Sequence, residues 1–382
     1  MKFIFDKIPF LAKTKNVTLI FCALVIIATI HRLWLGGHSF NNFTIFQYSY
    51  FNLSHGNDLY AAHPDQYYDL FKYSPGFAMF MAPFWWMPRW LGLFVFNLLN
   101  ALLPFWAVSK LKISQRNKCF ILLFIAIELL TSIQNSQTNG IMTGLIIGAF
   151  VFFERQNVMM AALFICLGFY IKIFAVVAGI LFLFYEKKLK FILWCAVFGI
   201  LFAVLPMLVT GYEGLITQYK SWLHLLATDP AHELNFSVMT LTQRWFNFSL
   251  GDVYYLVPGM LLLLLPITRI SQWKSHSYRL LLLGTILIWV VIFNHKAESP
   301  TYVVAVAGVA IAALTETNLI ARRIILWSTF IFTTLSPTDL FPKYLKDHLW
   351  QPYCLIAFPC IIAWIWFEWR AMKHDLTLGP EH

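Results

Sequence analysis

Apolar residues in this chain come in long runs, such as Phe191–Val209 and Leu280–Phe293, with no helical or strand period inside them. A helix needs ~20 mostly apolar residues to cross a bilayer core of ~30 Å. By that measure the pattern predicts about twelve crossings: 17–36, 90–109, 119–133, 140–153, 158–171, 173–185, 191–210, 253–268, 279–293, 300–315, 324–338 and 352–367. Three of them (140–153, 158–171 and 173–185) are short for a full crossing and are expected to be broken or tilted. The stretch Gly76–Met87 is also apolar, but Pro75, Pro83 and Pro88 interrupt it. Proline removes a backbone donor and clashes one turn back, so a re-entrant or interfacial element is expected there.

Composition narrows the class. Of 382 residues 59% are hydrophobic and only 12% charged, about half the ~25% charge of a soluble domain. Soluble α/β, coiled-coil and disordered readings are thereby excluded. The fold class is an all-α polytopic membrane protein: one transmembrane domain over 1–375, outer-face loops at 37–75 and 211–252, and a C-terminal tail at 376–382. Trp85, Trp86, Trp90, Trp364, Trp366 and Trp369 lie near segment ends, where half-wet aromatic rings settle. The six cysteines all fall inside apolar runs without a CxxC pair, so they read as small buried hydrophobes. A basic patch precedes Val17–Leu35, but that run is long enough to span, and it reads as a retained first helix.

Charge tests this layout independently. With the N-terminus in the cytoplasm and sides alternating, most of the 28 lysines and arginines collect on the cytoplasmic side, including Lys2, Lys7, Lys110–Lys118, Lys187, Lys188, Arg322 and Arg323. That bias fits the positive-inside rule. The net charge of +10 is therefore a topology signal and gives no support to nucleic-acid binding. More than half of the acidic residues, Glu233 and Asp252 among them, fall on the outer side with the two longest loops. Chemistry is expected at that face, and both termini are expected in the cytoplasm.

Several polar groups there can carry chemistry. Asp58 follows the turn-favouring His55-Gly56 and precedes Tyr60. It suits a general base, or is an ordinary solvated loop aspartate. Asp65 and Asp69, four apart, would share one helical face. Lys172, between two short apolar segments, must snorkel or meet an anion. Arg89 and Arg244 stand at the outer boundary and can grip phosphate with a bidentate fork. The short turn Asn294-His295-Lys296-Ala297-Glu298-Ser299 offers an imidazole that can donate to a phosphate oxygen, or is a capped interhelical turn. Gln134–Gly140 is an amide-rich linker; amides suit hydroxyl-rich ligands such as sugars. Glu128 lies inside a crossing, where a carboxyl is costly unless it faces a partner or cavity.

Taken in order, Gly56-Asn57-Asp58-Leu59-Tyr60, Lys72-Tyr73-Ser74-Pro75, Pro83-Phe84 to Pro88, Gln137-Thr138-Asn139-Gly140 and Tyr170-Ile171-Lys172-Ile173-Phe174 resemble glycosyltransferase family 87 across roughly 40–300. The resemblance implies a GT-C-like bundle of about eleven to thirteen helices with its active site on the outer, periplasmic face of the inner membrane. It implies transfer of a sugar, mannose by default, from a polyprenyl monophosphate to a lipid or glycan acceptor, with inversion. No metal or other cofactor is expected. The family's usual base position corresponds here to Asn42-Phe43, and asparagine cannot serve as a base. Asp58 is the best remaining carboxylate, with Asp65 and Asp69 behind it. His295 is the second catalytic candidate, and Lys172, Arg244 and Lys296 are candidates for the donor phosphate. Tyr60, Asp65, Asp69, Lys72, Tyr73, Gln137, Asn139 and Glu298 are candidates for acceptor or sugar contacts. The rival reading is a transporter or flippase of a lipid-linked sugar or small solute. It predicts paired half-chain repeats and several deep charges, and the sequence has no such repeat.

Overall fold

The apolar runs fold as helices, and the described residues contain no strand. The computed structural model describes residues 8–229 and 235–373. Lys2, Lys7, Glu233 and the tail 376–382 lie outside them. The principal helices are α1 (Thr14–Leu35), α2 (Asn41–Ser54), α3 (Arg89–Ser109), α4 (Gln115–Gln134), α5 (Asn139–Glu154), α6 (Val158–Ile171), α7 (Lys188–Val204), α8 (Met207–Thr228), α9 (Val238–Phe246), α10 (Val253–Leu264), α11 (His276–Ile292), α12 (Tyr302–Ala313), α13 (Leu319–Thr329) and α14 (Phe358–Lys373). Among the described residues α1, α3 and α4 are each long and apolar enough to cross a membrane alone, and α7 with α8 would add a fourth span. Several shorter apolar helices accompany them. The chain is an all-α polytopic membrane protein.

Single unbroken crossings were too simple an expectation in three places, and in a fourth, 173–185, a broken or tilted element was already expected. The run at 191–210 is two helices bent by 89°. Pro206 has no N–H to continue α7, and Gly211 takes φ 67°, a backbone state open to glycine. The segment Ile173–Phe184 winds as a 3-10 helix. α13 passes into a π-helical stretch, Phe330–Leu335, and the last crossing starts only at Phe358. Two expected loops contain helix: 37–75 holds α2 and is non-helical from 55 to 74, and 211–252 holds most of α8 and all of α9. Around the prolines the chain forms only short helices, Pro75–Phe80 and Ala82–Trp85, with Ser74 capping the first by accepting from the Phe77 N–H.

Packing divides the chain into two units. One gathers Phe21–Trp106 and Ser132–Pro230. Its core holds an aromatic cluster in which Phe46 meets Phe77 and Phe96, and Phe43 meets Phe84. The other gathers Met1–Ile20, Ala107–Thr131 and Ala231–His382. There α11 and α12 are buried along nearly their whole length, and their backbones touch at Gly284 and Gly308.

Glu128, on α4, is 1% exposed, and neither carboxyl oxygen has a hydrogen-bond partner among the described residues. A buried polar group left unsatisfied costs ~1–3 kcal/mol. Glu128→Leu, similar in volume, is expected to stabilise the protein by a comparable amount. A thermal melt of the purified protein checks this; a lower melting temperature would mean that the carboxyl has a partner.

Candidate active site

The site in the first unit is built by the end of α2, the loop after it, and α8. Gly56 stands just beyond the C-cap of α2 with φ 75°, and the Asn57 N–H reaches back to the Asn52 carbonyl at 2.9 Å, closing the helix end. This turn delivers Asp58 to the surface. One carboxylate oxygen, Oδ1, accepts from the Tyr60 N–H at 3.0 Å, the local turn that aspartate favours. The other, Oδ2, accepts from the Ser221 hydroxyl of α8 at 3.1 Å. One turn earlier on α8, the buried Gln218 amide fastens the same loop. It accepts from the Leu59 N–H at 3.1 Å and donates to the Asn57 carbonyl at 2.8 Å. Asp58 is thereby held between two elements, at the edge of a cavity of about 350 Å³ lined also by Tyr60, Ala61, Lys220, Ser221, His224, Leu225 and Thr228.

Tyr60 is buried beside this cavity, and its hydroxyl donates to the Tyr73 carbonyl at 2.9 Å. Burial pushes its phenol well above the ordinary range, with Tyr219 and the Asp58 carboxylate adding to the shift. It is therefore a neutral donor throughout the physiological range. The Lys72 ammonium lies 3.5 Å from both Asp69 and Asp229, tying the loop to the C-cap of α8. Asp65 is exposed. The expected shared helical face of Asp65 and Asp69 is not formed: no helix covers them, and Asp69 has φ 77°, incompatible with a right-handed turn.

A second polar cluster of this unit joins the start of α5 to the end of α6. Lys172, the C-cap of α6, donates to the Asn139 side chain at 2.6 Å, and Asn139 donates to the Gln137 side chain at 2.6 Å. A cation at a helix C-terminus also meets its dipole favourably. The Tyr73 hydroxyl lies 3.4 Å from that of Thr138, and Ser74 donates to the Tyr170 carbonyl at 2.5 Å. Asn42 stands in α2 and donates to the Asn135 carbonyl at 2.8 Å.

The other unit carries the remaining predicted residues. His295 Nδ1 lies 2.8 Å from the Asp252 carboxylate at the start of α10. The Lys296 N–H donates to the Asn294 side chain at 3.0 Å. Glu298 forms a reciprocal capping box with Thr301 at the turn leading into α12, a structural duty. The Arg244 guanidinium donates to the Gln351 and Pro352 carbonyls at 3.0 and 2.9 Å, anchoring α9. Among the described residues no three His, Cys, Asp or Glu gather as a metal-holding group.

Sequence reasoning missed Gln218, Lys220, Ser221, His224 and Asp252. A signal for Gln218 and Ser221 existed: with Leu225 and Thr228 they follow the three-to-four spacing of one helical face, and Lys220 and His224 are likewise four apart.

Comparison with known proteins gives a family match. The profile of glycosyltransferase family 87 matches residues 71–337, well over half of the chain. The match holds Lys72–Pro75, Gln137–Gly140 and Tyr170–Phe174. It begins after Asp58, Tyr60, Asp65 and Asp69, so the case for Asp58 stands on geometry. No curated protein matches the chain.

Proposed function

We propose a reaction for this chain, which belongs to glycosyltransferase family 87 and is a membrane glycosyltransferase. It transfers a sugar, mannose as the default, from a polyprenyl-phosphate donor to a hydroxyl of a lipid or glycan acceptor, inverting the anomeric centre. Asp58 takes the proton from the acceptor hydroxyl. The freed oxygen attacks the anomeric carbon in line, and the C–O bond to phosphate breaks with its electron pair leaving on the lipid phosphate. The observation that carries this reading is the Asp58 carboxylate, held by Ser221 and the Tyr60 N–H at the edge of a cavity with a basic wall. The cavity is of the size usual for small-ligand sites, roughly 300–1,000 Å³.

A lipid monophosphate is a built-in leaving group, and cations aimed at its developing charge supply electrostatic stabilisation. Lys172 is the candidate in the unit of Asp58. The His295–Asp252 pair, Lys296 and the carbonyl-held Arg244 belong to the other unit. Tyr60, Tyr73, Gln137 and Asn139 are proposed to shape the sugar and acceptor surroundings. Lys72, Asp65 and Asp69 lie in the same loop. The positive-inside bias supports cytoplasmic termini and an outer-facing site in the inner membrane. Single cysteines placed between His38 and Tyr73 are expected to react with an impermeant thiol reagent from outside only; labelling from the cytoplasm would reverse the orientation.

The test is transfer by the purified chain in liposomes, with radiolabelled polyprenyl-phosphate sugars compared with nucleotide sugars. Product is expected from the lipid donors alone. Product from nucleotide sugars alone would overturn the donor class.

A further inference from the structure

We propose that Lys220 and His224 of α8 form a binding subsite for the phosphate group of a prenyl-chain substrate in the Asp58 cavity. This rests on the reaction proposed above for the identity of the substrate. The two residues are four apart on one helix and so share a face. Ser221, next to Lys220, fixes where that face points, because its hydroxyl donates to Asp58 Oδ2 at 3.1 Å. Both side chains line the same cavity as Asp58, with Tyr60 and Thr228 completing it.

Both side chains are available. Among the described residues neither the Lys220 ammonium nor the His224 ring has a hydrogen-bond or ion-pair partner, and both residues are exposed. Lys72, by contrast, is already balanced by two carboxylates. Asp58 is satisfied by a hydroxyl and a backbone N–H, so it does not consume the Lys220 charge. What remains is an ammonium and an imidazole, one turn apart, on the wall of a cavity that also holds the base. Lysine binds phosphate as a point charge, and an imidazole can add a donor to the same oxygens. In an in-line displacement the leaving phosphate and the base stand on opposite faces of the anomeric carbon, so the sugar would lie between Asp58 and these two side chains, all of which line one cavity.

The test measures binding of farnesyl phosphate and of farnesol to the full-length protein in detergent, and of the protein to dioleoylphosphatidylglycerol vesicles. Wild type is compared with Lys220→Gln, His224→Gln, the double variant and Lys220→Arg. The double variant is expected to bind farnesyl phosphate at least ~10-fold more weakly, the loss of a charge-assisted contact. Farnesol binding should be unchanged, and Lys220→Arg should retain most of the affinity. Unchanged farnesyl phosphate binding would overturn the subsite. So would a loss confined to the vesicles, which would assign these side chains to the membrane surface. Because both residues are exposed, melting temperatures should stay at the wild-type value, separating a lost contact from a lost fold. Binding is read without turnover. If wild type transferred sugar from no polyprenyl-phosphate donor, the reaction would fail while the subsite was still decided.

Discussion

Asp58→Asn is expected to fold normally and to lose ~100- to 10,000-fold in turnover, the usual contribution of a positioned general base. That range equals ~2.7–5.4 kcal/mol of barrier. Asparagine keeps the shape of the side chain and can still accept from Ser221 or the Tyr60 N–H, so the junction between the loop and α8 survives. What disappears is the capacity to hold a proton. Asp65→Asn and Asp69→Asn are the controls. Asp65 is exposed, and Asp69 shares Lys72 with Asp229, so each should cost much less. Single-turnover transfer at saturating donor separates the cases. Near wild-type turnover in Asp58→Asn with either control inactive would move the base along the loop.

The second large effect is structural. Gly308 of α12 lies so close to α11 that an added Cβ would stand 2.5 Å from the Gly284 carbonyl oxygen and 2.8 Å from the Leu287 Cβ. Gly284 makes the reciprocal approach, 2.7 Å from the Gly308 carbonyl. Small residues allow such backbone contact between membrane helices. Because backbone cannot swing aside as a flexible side chain can, Gly308→Ala must part the helices, at a cost of ~1–3 kcal/mol. Gly308→Val should exceed that and sharply reduce the yield of folded protein. Gly199 of α7 is the contrast, with nothing within 4 Å of an added Cβ. Gly199→Ala should stabilise by ~0.5–1 kcal/mol through helix propensity. Melting temperatures in detergent compare the three, and a Gly308→Val protein as stable as wild type would contradict the packing described.

How much of this was legible in the sequence depended on whether the cause was local. Apolar run length is local, and it gave the all-α membrane class and α1, α3 and α4. It could not show that Phe191–Val209 turns through a right angle, because hydropathy is blind to the missing N–H of Pro206. The turn at Gly56 and the exposure of Asp58 were readable from His55-Gly56-Asn57. The partners of Asp58 were not. Ser221 and Gln218 lie far along the chain, in a stretch whose polarity suggested a loop although its spacing is helical. Polar residues on a membrane-protein helix mark a face turned toward protein or water, and that inference was open. Lys72 with Asp229, and His295 with Asp252, are pairs made by tertiary packing alone. Arg244 and Glu298, read from the sequence as ligand candidates, also hold carbonyls and a helix start, contacts made by tertiary packing and local capping.

The central claim is a single displacement in which Asp58 activates the acceptor against a lipid-phosphate sugar. The anomeric configuration of the product tests it most directly. Wild-type protein is supplied with a polyprenyl-phosphate sugar of defined configuration, and the new linkage is assigned by NMR before and after treatment with α- and β-specific glycosidases. The expected linkage is opposite in configuration to the donor's. A product that retains the donor's configuration would contradict the claim, since that outcome requires a covalent sugar intermediate and a different role for Asp58.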